Sequence, residues 1–165
     1  MHYLSQGLTE NWPIWVVSIT LIVAAVIDGM KLKVPNWITF PMIITGWIYS
    51  AAFSPYAGWE GLMFSLVGTA VGLALLLPAY AIGGMGAGDV KLLAAIGAFL
   101  GWKAALFTVF LSSLLGGIVG LLLIVTGKTD WQSRIPFGPY IVCGALTWLF
   151  FGQAILDWYM SLLQS

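Results

Sequence analysis

Two aspartates stand apart in a chain that carries few charges. Asp28 ends a long apolar stretch, in AAVIDGMKLKVPN, and Asp89 follows the glycine-rich run GGMGAG and precedes another apolar stretch. A carboxylate at membrane depth is costly, which makes it a functional candidate by default. Two carboxyl groups held close together do not both ionise readily, so one keeps a proton and acts as an acid while the other acts as a base on water. The pair therefore predicts the chemistry of aspartic peptidases, which requires no metal and no cofactor.

Each aspartate also has a structural explanation. At a helix C-terminus Asp28 would face the negative end of the helix dipole, and pairing with Lys31 or Lys33 would offset that cost. Asp89 precedes an apolar helix and is well placed to be its N-cap, with the preceding glycine freeing the turn. Capping occupies only one of the two carboxylate oxygens, so it does not exclude catalysis.

Composition indicates an integral membrane protein of one domain, residues 1–165. Of the 165 residues, 61% are hydrophobic and 7% are charged, whereas soluble domains carry about 25% charged residues. The formal net charge of zero argues against a nucleic-acid partner, because binding to phosphates needs a basic surface. The single cysteine, Cys143, excludes a disulfide framework or a cysteine zinc cluster within one chain. The N-terminus lacks the basic segment of a signal peptide, so the first apolar stretch is expected to be retained.

The apolar stretches predict an all-α membrane protein with a bundle of about six transmembrane helices. A span needs roughly 20 apolar residues. Residues 90–126 are too many for one span, so they divide at Gly101-Trp102-Lys103 into a short fourth helix and a longer fifth. The last dozen residues either continue the sixth helix or lie at the membrane interface. The predicted spans are 13–28, 36–53, 59–80, the two within 90–126, and 136–151.

The basic residues predict the orientation of these spans. With six spans, Lys103 falls on one side of the membrane, and the other five basic residues fall on the opposite side, which the positive-inside rule assigns to the cytoplasm. Both termini are then outside, and Asp28 and Asp89 both lie at cytoplasmic helix ends. Lys91 follows Asp89 by two residues and points to a different helix face, so it is interpreted as an anchor at the lipid headgroups. The five are Lys31, Lys33, Lys91, Lys128 and Arg134.

Three blocks of sequence carry a family resemblance. GAGDVKL at 86–92 fits a GxGD signature, KVPN at 33–36 follows the first aspartate, and IPFGP at 135–139 comes third. In these blocks the chain is similar to the type IV prepilin peptidases, which are GxGD-type intramembrane aspartyl proteases. The resemblance implies that Asp28 and Asp89 are the catalytic pair. It also implies a set of substrate-binding or loop-shaping residues: Gly84, Gly86, Gly88, Lys33, Pro35, Asn36, Pro136, Phe137, Gly138 and Pro139.

The resemblance further implies a reaction and a substrate. Members of the family cut the basic leader peptide from type IV prepilin or pseudopilin precursors at the cytoplasmic face of the bacterial inner membrane. Larger members carry four zinc-binding cysteines in an extra region and also methylate the new N-terminus. This chain has one cysteine and no such insertion after Asp28, so it resembles the short, peptidase-only form associated with Flp-like pili. The partners expected are a precursor peptide and the lipid bilayer, and the pilin processed and the oligomeric state are left open.

An alternative function uses the same two carboxylates. Acidic residues within a membrane also serve in proton- or cation-coupled transport, and Asp28 and Asp89 would then form an ion site. Against this, the chain shows no visible inverted repeat, and both residues are expected at one membrane face and not at mid-depth.

Overall fold

The computed structural model describes residues 12–31, 34–53, 58–127 and 136–164, and over these ranges α-helices joined by short turns are its only regular secondary structure. The expectation of an all-α protein is therefore confirmed. The predicted Lys33 lies outside the described residues. The five helices are α1 (Trp12–Lys31), α2 (Asn36–Ala52), α3 (Trp59–Ala81), α4 (Ala87–Val125) and α5 (Gly138–Gln164).

Three of the five described helices have the length and composition of membrane spans. Three stretches within the described ranges are long and apolar enough to cross a bilayer: Trp59–Ala81, Ala87–Val125 and Gly138–Leu162. A shorter apolar stretch is Ile14–Met30. Many large apolar side chains on these helices are exposed, which suits a surface that faces lipid. The chain is an integral membrane protein.

The expected count of six helices is not matched, because residues 87–125 form two helical segments that join directly at a kink and are counted here as the single element α4. Helix resumes directly after Gly101, so no loop separates the two parts. The predicted point of division is nevertheless where the helix breaks, since Gly101 has φ 81° and ψ 177°. The ring of Phe64 in α3 fills the space that a side chain on Gly101 would need. Both the positive φ and this close approach require glycine.

The chain reverses direction at this break. A straight helix, rising 1.5 Å per residue, would place Gly116 about 40 Å beyond Asp89. Instead, a side chain at Gly116 would meet the ring of Phe137 at 2.8 Å. The next residue, Gly138, is hydrogen-bonded to Asp28, and Asp28 lies within electrostatic range of Asp89. The second half of α4 therefore returns towards the end of the bundle where its first half began.

Glycines bring α3 and the first half of α4 into backbone contact. Gly68 and Gly97 face each other so closely that neither has room for a Cβ atom. One turn away, a Cβ on Gly72 would meet the carbonyl oxygen of Leu93 at 2.6 Å. Small residues are the usual means by which membrane helices approach closely. These contacts fix α4, and with it Asp89, against α3.

Buried hydroxyl groups stabilise the end of the first half of α4. The Ala98 carbonyl lies in the last turn before the break, where carbonyl groups lose their intrahelical donors. It accepts hydrogen bonds from Ser65 Oγ at 2.6 Å and Ser50 Oγ at 3.3 Å. Nearby, Trp47 Nε1 donates to Thr69 Oγ1 at 3.0 Å. This network ties α2, α3 and α4 together where hydrocarbon offers no other partners.

Helix α5 settles the alternative left open for the last dozen residues. It runs without interruption from Gly138 to Gln164, so the segment continues the last span. The N-terminus of α5 meets the C-terminal end of α1 through the Gly138–Asp28 contact.

Candidate active site

Asp28 lies in the last turn of α1 and is buried, with 3% of its surface exposed. Its Oδ2 atom accepts a hydrogen bond from the backbone N–H of Gly138 at 2.9 Å. Gly138 is the first residue of α5, so the carboxylate that faces the negative end of α1 also faces the positive end of α5. The pairing with Lys31 or Lys33 concerns side chains outside those described.

Gly138 leaves no space between the α5 backbone and Asp28. A Cβ atom on this residue would meet Asp28 Oδ2 at 2.6 Å, its Cγ at 2.8 Å and its Cβ at 2.9 Å. Ordinary contact for such an atom begins at 3.4 Å. Any side chain at position 138 must therefore displace either the carboxylate or the α5 backbone, and the requirement for glycine here is steric.

Asp89 is the third residue of α4 and is 6% exposed. The expectation that Asp89 is the N-cap is wrong, because the helix begins two residues earlier and Gly86 is its N-cap. The carboxylate reaches back to this N-cap, accepting a hydrogen bond from the Gly86 N–H to Oδ2 at 3.3 Å. The other oxygen, Oδ1, is buried and has no hydrogen-bond partner in the described structure. Capping thus occupies one oxygen and leaves the second available.

The fold brings the two aspartates together from positions 61 residues apart in the sequence. Asp28 is close enough to interact electrostatically with Asp89, and both are almost fully buried. Each carboxylate holds one backbone N–H at a helix N-terminus, from Gly138 and Gly86 respectively. The arrangement is a pair of buried carboxylates held by backbone donors, in which Asp89 Oδ1 has no hydrogen-bond partner among the described residues.

The three glycines expected to make room near Asp89 differ in their surroundings. Gly88 packs against backbone, since a Cβ there would meet the Val34 nitrogen at 2.8 Å and its carbonyl oxygen at 3.1 Å. Gly84 lies in an exposed turn, and a Cβ on Gly86 would make only ordinary contact at 3.5 Å. Gly88 is therefore required for the approach of the segment that precedes α2, and it is the most constrained of the three.

The other predicted residues lie around the same end of the bundle. Pro35 is the N-cap of α2, and Asn36 is its first residue. The side chain of Asn36 accepts a hydrogen bond from Lys91 Nζ at 2.9 Å. This contact does not follow from the interpretation of Lys91 as a headgroup anchor. In the third block, Phe137 is half-buried and packs on the second half of α4, while Gly138 contacts Asp28.

Over the described ranges, no three His, Cys, Asp or Glu side chains gather in a way that would hold a metal ion. The expectation that the reaction needs no metal and no cofactor stays a prediction.

Comparison with known proteins decides the family. Residues 15–121 match the model of the type IV leader peptidase family. The chain belongs to this family. The match includes both Asp28 and Asp89, and it ends before Gly138, so the backbone donor to Asp28 comes from outside the matched region of this leader peptidase family member.

Curated relatives support the assignment over most of the chain. A prepilin leader peptidase/N-methyltransferase from Aeromonas salmonicida is 33% identical over 168 residues, covering 96% of this chain and 56% of the relative. A Bacillus subtilis protein of the same name is 33% identical over 158 residues, covering 93% and 61%. One from Legionella pneumophila is 39% identical over 77 residues, covering 47% and 27%. No solved structure matches this family member.

The chain spans roughly half the length of the first two of these relatives. Sequence blocks located both aspartates and the third block, but two contacts of this leader peptidase family member were missed. Asp28 and Gly138 are 110 residues apart, and Lys91 and Asn36 are 55 apart. Neither pair leaves a periodic signal. The only hint of these two contacts in the sequence is that Gly138 and Lys91 both lie in recognisable blocks.

Proposed function

We propose that this chain is an aspartic endopeptidase that removes the basic leader peptide from type IV, Flp-like prepilins at the cytoplasmic face of the bacterial inner membrane. Membership of the type IV leader peptidase family supports peptidase action on such precursors. The observation that carries the aspartic mechanism is the buried pair formed by Asp28 and Asp89, in which Asp89 Oδ1 is free of any described partner.

The pair has the properties that general acid–base hydrolysis needs. Two buried anions at close range repel each other, so the resting pair holds one proton. The ionised member takes a proton from water, and the water oxygen attacks the scissile carbonyl carbon. The protonated member donates a hydrogen bond to the carbonyl oxygen as negative charge develops there. The C–N bond then breaks as the carboxyl group that took the proton from water passes it to the departing amine nitrogen, which leaves a free N-terminus on the mature chain.

Access to the pair is proposed to run past the turn between α3 and α4. Ile82 is 85% exposed, and Gly83, with φ 78°, and Gly84 are also exposed. This turn leads directly to the N-cap of α4 and then to Asp89. A precursor that arrives from the aqueous side meets a narrow stretch of backbone with few side chains, which lets an extended peptide approach closely.

We further propose that the two halves of α4 cross the membrane separately, giving six spans with both termini outside. The reversal at Gly101 and the five basic residues predicted on one side support this arrangement. A topology with Asp28 and Asp89 at the cytoplasmic face follows from the positive-inside rule.

N-terminal methylation is not included in the proposal. Only four residues, 32–35, connect α1 to α2, and the whole sequence has one cysteine. A zinc site of four cysteines of the kind expected in larger members has no counterpart in this connection. Mass measurement of the processed product tests this directly, because methylation would add one methyl group to the new N-terminus.

Co-expression with a prepilin precursor tests the peptidase function. Asp28→Asn and Asp89→Asn keep the shape of each side chain and an oxygen that accepts the backbone N–H, but neither can take up a proton as a carboxylate does. Each change is expected to abolish the shortening of the precursor on a gel while the protein stays in the membrane. Asp157→Asn is the matched control, because Asp157 is exposed on α5 and its loss should leave cleavage intact.

Two results would contradict the proposal in different ways. Failure of the unaltered protein to shorten any prepilin tried would remove the assigned substrate class. Cleavage that survives both aspartate substitutions would show a real peptidase with a different catalytic pair.

A further inference from the structure

A polar contact links the start of α4 to the start of α2 beside the candidate site. Lys91 Nζ donates a hydrogen bond to Asn36 Oδ1 at 2.9 Å. Because an ammonium group only donates, the acceptor must be the amide oxygen. The same nitrogen lies 4.8 Å from the centre of the Phe40 ring. Asn36 and Phe40 are four residues apart and share one face of α2, so Lys91 is held by two groups at once.

The position of Lys91 is electrostatically unfavourable for an ordinary anchor. It lies near the N-terminus of α4, where the helix dipole disfavours a cation, and its partner is the N-terminus of a second helix, α2. A lysine that served only to contact lipid headgroups would not need a hydrogen-bond partner on α2. Its observed partners lie within the protein, which indicates a role in holding the two helices together.

This link works together with a second contact on the other side of Asp89. Gly88 packs directly on the Val34 backbone, two residues before Asn36. The first turn of α4 is thus joined to residues 34–36 immediately before Asp89 and two residues after it. Asp89 Oδ2 holds the Gly86 N–H at 3.3 Å, a long hydrogen bond, and Oδ1 has no described partner. The orientation of this carboxylate therefore depends on how firmly the turn itself is held.

We infer that Lys91 and Asn36 form a positioning pair that fixes the first turn of α4 against α2 and thereby orients the Asp89 carboxylate. The inference rests on the proposed peptidase function, because its consequence is the rate of the chemical step. Lys91 acts through Asp89 and does not itself touch the reacting atoms. Without the Lys91–Asn36 hydrogen bond, the Asp89 carboxylate is still present but is less well aligned with Asp28.

Steady-state kinetics on a purified prepilin precursor test the inference. Lys91→Met keeps the length and apolar stem of the side chain and removes the donor. It is expected to lower kcat about ten-fold with little change in KM, since misalignment slows chemistry without weakening binding. Asn36→Ala should have a similar effect, and the double variant should be no worse than either single variant. Lys91→Arg, which retains donors, should recover most of the rate.

Lys103→Met provides the matched control. Lys103 lies near the break in the same helix, and its Nζ atom is 5.6 Å from the Trp102 ring, so it makes a comparable contact with an aromatic side chain far from Asp89. Its kinetics should match those of the unaltered protein. An increase in KM at constant kcat for Lys91→Met would mean that Lys91 binds substrate, and additive effects of the two substitutions would mean that they act separately. Either result overturns the inference.

A second measurement does not depend on activity. Dicyclohexylcarbodiimide adds to protonated carboxyl groups in apolar surroundings, and mass mapping gives the labelling rate of Asp89. Lys91→Met and Asn36→Ala should each label several-fold faster than the unaltered protein, because a loosened turn exposes Asp89, whereas Lys103→Met should not. Unchanged labelling in both variants would refute the positioning role. If the unaltered protein cleaves no precursor, the proposed function fails, and the labelling rates still decide whether Lys91 orients Asp89.

Discussion

The contact between Gly138 and Asp28 makes a quantitative prediction for Gly138→Ala. The added Cβ atom would lie 2.6 Å from Asp28 Oδ2, and ordinary contact begins at 3.4 Å. The carboxylate or the α5 backbone must therefore move by about 0.8 Å, which lengthens the 2.9 Å hydrogen bond to a distance at which it no longer counts as one. A shift of about 1 Å in a catalytic group costs on the order of 100-fold in rate, which corresponds to about 2.7 kcal/mol of activation free energy.

The assay is a time course of precursor cleavage by the purified protein in detergent or proteoliposomes. Gly138→Ala should lower kcat about 100-fold and should also destabilise the fold by about 1–3 kcal/mol, as overpacking commonly does. Gly117→Ala is the matched control, because Gly117 is an exposed helical residue with nothing within 4 Å of the added Cβ. Membrane levels and thermal unfolding, measured in parallel, separate loss of rate from loss of protein.

A clear outcome would refute this reasoning. If Gly138→Ala cleaves at the rate of Gly117→Ala while remaining folded, then the placement of Asp28 by the α5 N-terminus has no catalytic importance. Asp28 would then tolerate displacement, and the proposal that cleavage depends on a fixed alignment of Asp28 and Asp89 would be wrong.

Two further substitutions probe the surroundings of the site. Gly88→Ala places a Cβ atom 2.8 Å from the Val34 nitrogen, where backbone cannot yield easily, and it should reduce both cleavage and the melting temperature; wild-type values for both would contradict the tight packing. Ser65→Ala removes the 2.6 Å donor to the Ala98 carbonyl and should lower the free energy of unfolding by about 1–3 kcal/mol. The control is Ser161→Ala, because the exposed hydroxyl of Ser161 donates to a carbonyl of its own helix. Equal thermal stability of the two variants would show that the hydrogen bond from Ser65 to the Ala98 carbonyl does not stabilise the fold.

The sequence located the candidate pair because charge is scarce in this chain. With six acidic residues among 165, an aspartate beside an apolar stretch is conspicuous, and Asp28 and Asp89 each had recognisable neighbours. The predicted N-cap, Asp89, lies three residues beyond the observed N-cap, Gly86, and errors of this kind are common for helix ends predicted from sequence. Gly86 took the N-cap position because its backbone is extended there, with φ −80° and ψ 149°.

The hydrogen bonds that position Asp28 and Asp89 cannot be predicted from the hydrophobic periodicity of the sequence. A pattern in the sequence reports which face of a helix is apolar, but it does not report which distant backbone N–H will meet that face. The Gly138–Asp28 bond depends on where α5 begins, and the Lys91–Asn36 bond depends on how α2 and α4 cross. The six-helix expectation failed in count for a related reason. The length of the apolar stretch 90–126 pointed to a division at Gly101-Trp102-Lys103, but it did not indicate that the helix would resume without a loop.

The break at Gly101 has a consequence for water. The first segment of α4, Ala87–Leu100, has 14 residues and reaches about 21 Å, whereas the hydrocarbon core is about 30 Å thick. One end of this segment must therefore lie inside the core unless the bilayer thins around it. Lys103, two residues beyond Gly101, is exposed and favours a membrane surface for that end of the segment, so thinning of the bilayer is the way in which the segment is accommodated. On the proposed function, such thinning brings the aqueous boundary to Asp89, so the proposed catalytic pair obtains its water at the end of a short helix and needs no channel through the bundle.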